Sequence, residues 1–263
     1  STSFGRIVAL DAFSGELKWS FDTDAWEAGR PMNLGYNTRG VAHWQKGDKQ
    51  RLFFATYDSY LRSIDLATGM PDSDFGESGR VDLVLGLGRD FERRLYGVIS
   101  PPLVTNDRVI VNSAIHDSPQ SLEMPPGDVR AFDPETGEVI WVFHTIPQAG
   151  EYGNETWENG SAEYTGNTNS WTIMSADDEL GIVYIPIGTP TNDWYGGARP
   201  GDNLYGESVV AVDVDAPDAR SALMRAAASA DPRKCCTSKA GASSPAEPIV
   251  PSDDEEDKVG GPS

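Results

Sequence analysis

Val8-Ala9-Leu10 and Leu17-Lys18-Trp19-Ser20-Phe21 are short β-rich runs, separated by a polar turn that ends in Gly15. The same succession of apolar run, Asp, two further residues, Ser/Thr-Gly and apolar run returns along the chain. Val129-Arg130-Ala131-Phe132-Asp133-Pro134-Glu135-Thr136-Gly137-Glu138-Val139-Ile140-Trp141 repeats it almost letter for letter. Ile64-Asp65-Leu66-Ala67-Thr68-Gly69 repeats it without the Trp, and Val210-Ala211-Val212-Asp213 begins a copy and stops. The pattern predicts pairs of strands joined by tight turns. In each turn the Asp side chain bonds backbone amides and the Gly takes a positive φ. A Trp at the start of the return strand offers a flat surface for packing on a neighbouring unit.

The Asp positions 11, 65, 133 and 213 are 54, 68 and 80 residues apart, which leaves room for several strands and a growing loop in each interval. A repeat of that length reading strand, Asp-x-x-Thr-Gly turn, strand is the signature of a β-propeller blade. The expected fold class is therefore all-β: a partial β-propeller of about four blades over residues 1–215. Four unrelated hairpins are the plain alternative.

Composition narrows the function more than the fold. With 38% hydrophobic residues, 10% aromatic residues and seven Trp in 263 residues, the chain can bury a substantial core. No apolar run is long enough to span a membrane. A formal charge of −20 argues against a nucleic-acid partner. The chain opens at Ser1 without a Met, as a mature product or a piece would. The adjacent Cys235 and Cys236 lie outside the repeats and say little about redox compartment.

From Ala216 the composition shifts to Ala, Ser, Pro and acidic residues, with Asp253-Asp254-Glu255-Glu256-Asp257 near the end. Residues 216–263 are expected to be a disordered tail, with a short helix over Ser221–Ala230 as its one candidate element. The break falls where Asp213 calls for a turn and a returning Trp strand. A change of reading frame or a truncation would produce it, as would a divergent tail.

Between the repeats stand five further strings: Asn37-Thr38-Arg39-Gly40-Val41-Ala42-His43-Trp44, Ser100-Pro101-Pro102-Leu103-Val104, Pro125-Pro126-Gly127-Asp128-Val129-Arg130, Gly166-Asn167-Thr168-Asn169-Ser170-Trp171 and Thr189-Pro190-Thr191-Asn192-Asp193-Trp194-Tyr195-Gly196-Gly197. In this order, over roughly residues 5–215, they closely resemble the quinoprotein dehydrogenases. These are eight-bladed propeller enzymes that use pyrroloquinoline quinone (PQQ), and the glucose dehydrogenase-like branch looks nearest. The resemblance implies oxidation of a sugar or alcohol hydroxyl, a periplasmic location, and a pocket for a flat tricarboxylic quinone with a divalent metal.

Carried over residue by residue, the resemblance implies that Arg39 contacts the cofactor, where a guanidinium can donate two parallel bonds to a carboxylate. Trp171 would form the floor beneath the quinone ring, and Ser113 would lie beside the cofactor. Asp117 would ligate Ca²⁺ or Mg²⁺, hard ions that prefer oxygen, with Thr191 as a further ligand. From the residues alone, the plain alternatives are a surface residue at a strand-end turn for Arg39, a blade-packing Trp for Trp171, and a solvated loop acid for Asp117. His116 reads as a loop residue, since His43 and His144 give it no zinc-like spacing. The sequon Asn154-Glu155-Thr156 reads as chance.

Three departures bear on the branch and the activity. Asn33 and Leu34 stand where alcohol-oxidising relatives have a vicinal disulfide, and Gly35 stands where the glucose branch has a His. The family's general base, and the cation that polarises the quinone, belong to blades beyond the fourth repeat. No catalytic residue is assigned here, and the chain alone is expected to lack dehydrogenase activity. Open blade faces would make it marginal, or lead it to associate with a complementary propeller half. A non-catalytic propeller scaffold for protein assembly is the other class, and Arg39, Asp117, Trp171 and Thr191 are what it would have no reason to keep.

Overall fold

The structure is a computed structural model, and it describes residues 1–31, 35–118 and 121–215. All of these belong to one compact unit, Ser1–Ser229; a second unit, Ala230–Ser263, lies wholly outside them. The expected tail, its helix and cysteines, and the positions Asn33 and Leu34 also lie outside the described residues.

Strands β1 (Ile7–Leu10) and β2 (Leu17–Phe21) form an antiparallel hairpin. The next sheet is a meander of β3 (Ala42–Lys46), β4 (Lys49–Ala55), β5 (Tyr60–Asp65) and β6 (Arg80–Asp82). Then come β7 (Tyr96–Gly97), β8 (Leu103–Thr105), β9 (Arg108–Val111), β10 (Ala114–Ile115), β11 (Val129–Phe132) and β12 (Val139–Phe143). Of these, β8, β9, β11 and β12 make a four-stranded sheet in that order, while β7 pairs with β10. Last, β13 (Ser175–Asp177), β14 (Ile182–Ile187) and β15 (Ser208–Asp213) form a three-stranded sheet. Every strand pairing among the described residues is antiparallel, and no described helix is long and apolar enough to cross a membrane.

The repeated turn folds the same way in three places. Asp11 Oδ1 accepts the amides of Phe13 and Ser14, Asp65 Oδ1 that of Thr68, and Asp133 Oδ1 those of Glu135 and Thr136, all at 2.8–3.0 Å. The following Gly15, Gly69 and Gly137 have φ of 74°, 71° and 77° and return their amides to the Asp carbonyl at 2.9 Å. A carboxylate that accepts amide bonds is favoured in its charged form. The amide of Ser14, foremost, and Lys18 hold Asp11 down to about 2.

Successive sheets pack face to face, so the middle strands are apolar on both sides. In β4, Phe53 joins Leu61, Phe75, Leu83, Val109, Val111 and Phe132 against the following sheet. Its neighbour Phe54 points the other way, with Ile64 of β5, onto Ile7, Trp19 and Phe21 of the preceding hairpin. In β9, Val109 and Val111 face backward while Ile110 faces Val129, Val183, Ile185, Val210 and Val212. Both Phe53 and Phe54 are fully buried, and each contributes about 2–3 kcal/mol of transfer free energy.

The tryptophans stitch one repeat to the next. Trp19 Nε1 donates to the Leu66 carbonyl at 3.0 Å, and Trp141 Nε1 donates to the Val214 carbonyl at 2.9 Å. Each acceptor follows a repeat Asp by one residue. This agrees with the expected packing of the repeat Trp on its neighbour.

Candidate functional site

The segment Gly166–Thr172 is the spine of the site. It is not a regular strand, yet several of its backbone groups are held by neighbouring segments. Asn167 N–H donates to Pro125 O at 2.8 Å, Thr168 N–H to Thr189 O at 3.1 Å, and Gly166 O accepts Thr191 N–H at 3.1 Å. Asn169 O accepts Gly188 N–H at 2.9 Å. Asn167 and Thr168 sit at φ of 59° and 55°, and for the β-branched Thr168 that conformation is costly. Such strain, of order 1–3 kcal/mol, persists only where the surroundings fix it, and both residues are buried. A Cβ on Gly127 would stand 2.4 Å from Asn167 O, and one on Gly166 would stand 2.3 Å from Met124 O. Only glycine permits the two chains to lie this close.

Side chains then gather on the end of the spine. Arg39 is placed by its own amide, which donates to Ile99 O at 3.0 Å. Its Nη1 donates to Trp171 O at 3.1 Å, and its Cζ lies 5.3 Å from the Trp171 ring centroid. That is a cation–π contact. Ser100 Oγ donates to the same Trp171 carbonyl at 2.7 Å, and Asn112 Nδ2 donates to Thr172 O at 2.7 Å. The indole is held by its backbone and left 48% exposed, so one flat aromatic surface remains available. At its edge runs Gly188, where a Cβ would stand 3.3 Å from Asn169 O and 3.7 Å from Trp171 Nε1.

The other expected residues reach the same spine by different routes. Ser113 follows β9; its carbonyl accepts Asn169 Nδ2 at 2.8 Å, and its buried hydroxyl lies beside the Tyr96 phenol without a partner of hydrogen-bonding geometry. Thr191 is anchored by its amide to Gly166, while its Oγ1 is buried and unpartnered. Asp117, just past β10, is exposed at its surface. Partial desolvation by the surrounding protein raises its carboxyl above the ordinary range, opposed by His116 and by the side chain of Asn167. Asp193, two residues past Thr191, is likewise raised, by burial first and then by Asp117, against the pull of Arg199. Ser170 Oγ and Asn167 Oδ1 are further buried polar atoms without partners. Among the described residues, no group of three or more His, Cys, Asp or Glu is arranged to hold a metal.

The structure thus brings Arg39, Ser113, Asp117, Trp171 and Thr191 to one spine. Sequence reasoning missed Ser100, Asn112, Asn169 and Gly188, which orient it, and Asp193 and Arg199 at its rim. All but Arg199 fall inside or beside strings that carry the resemblance, Asn112 in the matching strand and loop Val109-Ile110-Val111-Asn112-Ser113-Ala114-Ile115-His116-Asp117, but serine, asparagine and glycine carry no spacing rule that would single them out.

Sheets repeated about their Asp-Gly turns and locked by tryptophan, with a polar spine lined by an arginine and a half-exposed indole, define a PQQ-type β-propeller. Residues 1–219 match the PQQ family model described as glucose/ethanol/alcohol dehydrogenase, beta-propeller domain, and the chain belongs to that family. It is similar to the quinate/shikimate dehydrogenase (quinone) of Acinetobacter baylyi, 30% identical over 81% of this chain and 28% of that protein. It is similar also to the glycerol dehydrogenase large subunit of Gluconobacter oxydans, 33% identical over 79% of this chain and 28% of that protein. Among solved structures, the quinohemoprotein alcohol dehydrogenase of Pseudomonas putida superposes with a TM-score of 0.64 at 29% identity, covering 82% of this chain and 30% of that one. The chain therefore spans under a third of the length of these relatives.

Proposed function

We propose that this chain is the cofactor-binding part of a quinoprotein dehydrogenase that oxidises a sugar or alcohol hydroxyl in the periplasm. The observation that carries this reading is the convergence of Arg39, Ser113, Asp117, Trp171 and Thr191 on the spine Gly166–Trp171. A propeller used only as a scaffold needs sheets and interlocking tryptophans; it does not need strained backbone supporting an exposed indole.

The residues suit PQQ. A flat tricarboxylic ring needs an aromatic face, a cation for its carboxylates and donors at its edge. Trp171 offers the first, Arg39 the second, and the unpartnered hydroxyls of Ser113 and Ser170 the third. Oxygen donors also suit Ca²⁺ or Mg²⁺: Asp117, whose carboxylate a cation would favour in its charged form, and Thr191, whose buried Oγ1 has no partner. When bound, PQQ supplies the electrophile that accepts hydride from the substrate carbon. Arg39 orients a carboxylate, Trp171 excludes water from one ring face, and Asn167 steadies Asp117.

No residue of this chain is assigned to take the hydroxyl proton. The base and the quinone-polarising cation would come from further blades, in a longer chain or a complementary half, so the chain alone should bind the cofactor without turnover. The test is titration of the 263-residue chain with PQQ in Ca²⁺, followed by tryptophan fluorescence. Saturable quenching that Arg39→Ala weakens at least tenfold supports the reading. Quenching that neither Arg39→Ala nor Trp171→Ala changes leaves a scaffold.

A further inference from the structure

The spine begins where two stretches of chain, residues 124–127 and 165–169, cross at glycines. A Cβ would stand 2.3 Å from Met124 O on Gly166 and 2.4 Å from Asn167 O on Gly127. One guanidinium, that of Arg89, closes this crossing. Its Nη1 donates to Met124 O at 3.0 Å, Thr165 O at 2.7 Å and Tyr164 O at 3.2 Å, and its Nη2 donates to Ala162 O at 3.0 Å. Nη1 carries two hydrogens, so one of them is shared between carbonyls. Met124, Ala162 and Thr165 are buried, and a buried carbonyl is costly to leave without a donor.

Arg89 stands on the loop that follows β6, and that loop has anchors of its own. Leu83 and Leu87 are buried, and Arg130 of β11 donates from Nη1 to Leu85 O at 3.0 Å and from Nη2 to Leu83 O. The acceptors lie far away in sequence. Ala162, Tyr164 and Thr165 close the short 3₁₀ helix Glu158–Glu163, and the last carbonyls of a helix have no partner within it. The charge of Arg89 is balanced through space, by Asp128 and then Glu123, which leaves its N–H groups to the carbonyls.

We infer that Arg89 is a positioning residue of the cofactor site, a clamp that fixes how residues 166–171 present the Trp171 indole. The inference rests on the cofactor-site reading above and adds the residue that holds its aromatic platform. Thr165 O and Gly166 N belong to one planar peptide group, so the bond to Thr165 O fixes the plane from which the spine departs. The bond to Met124 O holds the crossing chain against it. Asn167 and Thr168 then take φ of 59° and 55°, conformations that last only while the surrounding chain is held. Arg39 and Ser100 fix the far end, at Trp171 O. Without Arg89 the entrance is free, the strained pair relaxes, and the indole loses its fixed attitude.

The test is fluorine NMR of the 263-residue chain labelled with fluorotryptophan, recorded first without PQQ. The signals of Trp171, Trp19 and Trp141 are assigned by Trp171→Phe, Trp19→Phe and Trp141→Phe. In Arg89→Gln the Trp171 signal should shift or broaden beyond its native width. Those of Trp19 and Trp141, which lock repeats elsewhere, should stay in place. Arg89→Lys keeps the charge but not the planar fork; it should move the Trp171 signal less, and it serves where Arg89→Gln does not fold. In PQQ titrations with Ca²⁺, Arg89→Gln should weaken binding at least tenfold and Arg89→Lys by less. A Trp171 signal unmoved in every variant that folds, or three signals displaced alike, overturns the inference and leaves Arg89 a general stabiliser. Failure of the native chain to bind PQQ sinks the cofactor reading, while the spectra recorded without PQQ still decide the clamp.

Discussion

Arg51 donates from Nη1 to the Pro134 carbonyl at 2.6 Å and to the Glu135 carbonyl at 2.8 Å, so a guanidinium stands where the flanking repeats use an indole. Pro134 follows Asp133 just as Leu66 follows Asp65 and Val214 follows Asp213, the carbonyls that receive Trp19 and Trp141. The second repeat lacks its Trp, and a fully buried arginine on β4 makes the bond in its place. Its charge is met by Asp72 at 3.4 Å and Asp74 at 3.6 Å, and its plane lies 5.9 Å from the Phe75 ring centroid.

Removing that arginine leaves two carbonyls without a partner and strips the cation from a largely buried carboxylate, Asp72, which keeps only the Ser63 hydroxyl at 2.6 Å. Arg51→Ala should therefore cost about 3–5 kcal/mol in urea unfolding at neutral pH. Trp141→Phe, which keeps most of the packing but loses one hydrogen bond, should cost about 1 kcal/mol plus a small cavity term. A loss below 1 kcal/mol for Arg51→Ala would show that the guanidinium is not a lock between repeats.

The glycine of the second repeat turn is held by the tryptophan of the first. A Cβ on Gly69 would stand 2.6 Å from Trp19 Cδ2, at φ +71°, so Gly69→Ala meets both backbone strain and a clash. The expected loss is about 2–3 kcal/mol. Gly47, at φ +59°, has nothing within 4 Å of its Cβ position and is the control. Gly47→Ala should cost only about 1 kcal/mol. Thermal melts of the two variants side by side decide the matter, and equal losses would remove any role for the interlock.

The blades were legible because an Asp-x-x-Thr-Gly turn has one dominant geometry, and its repetition fixes the unit. The compensation by Arg51 was not legible, since nothing in Lys49-Gln50-Arg51-Leu52 separates a buried arginine from a solvated one. A related turn, in which Asp177 Oδ1 accepts the amides of Glu179 at 3.1 Å and Leu180 at 3.0 Å, also went unread, because Asp178-Glu179 resembles a charged loop. In the site, residues with distinctive chemistry could be named from resemblance. The serine and asparagine side chains that orient Trp171 could not, since their role depends on which carbonyls the fold brings near.

If Asp117 and Thr191 hold a divalent ion beside the cofactor, each should affect cation dependence more than cofactor stacking. In Asp117→Asn, PQQ binding should lose its response to Ca²⁺ and weaken at least tenfold. Thr191→Val, which keeps the backbone amide bond to Gly166, should raise the Ca²⁺ concentration needed severalfold. Fluorescence titrations at graded Ca²⁺ and Mg²⁺ measure both. Retention of full Ca²⁺ dependence in Asp117→Asn assigns the ion elsewhere.

Asp128 gives a pH-dependent prediction independent of any ligand. Burial pushes its carboxyl up to about 6, against the pull of His144, Arg130, the Thr145 amide and Arg89, and its Oδ1 is unpartnered. Below the ordinary carboxylate value, both folded and unfolded chains hold the proton and the group is neutral to stability. Between that value and about pH 6 the folded protein keeps a proton that the unfolded chain has lost, so stability falls as pH rises. Above that window the penalty is constant. Asp128→Asn removes it, so the variant should gain on the native protein as pH rises from 4 to 7.5, by up to about 3 kcal/mol. Urea midpoints across that range measure the difference, repeated in a His144→Gln background because His144 acts on the same carboxyl. A difference that stays flat or shrinks with rising pH would mean that Asp128 is charged throughout and stabilised by its two arginines.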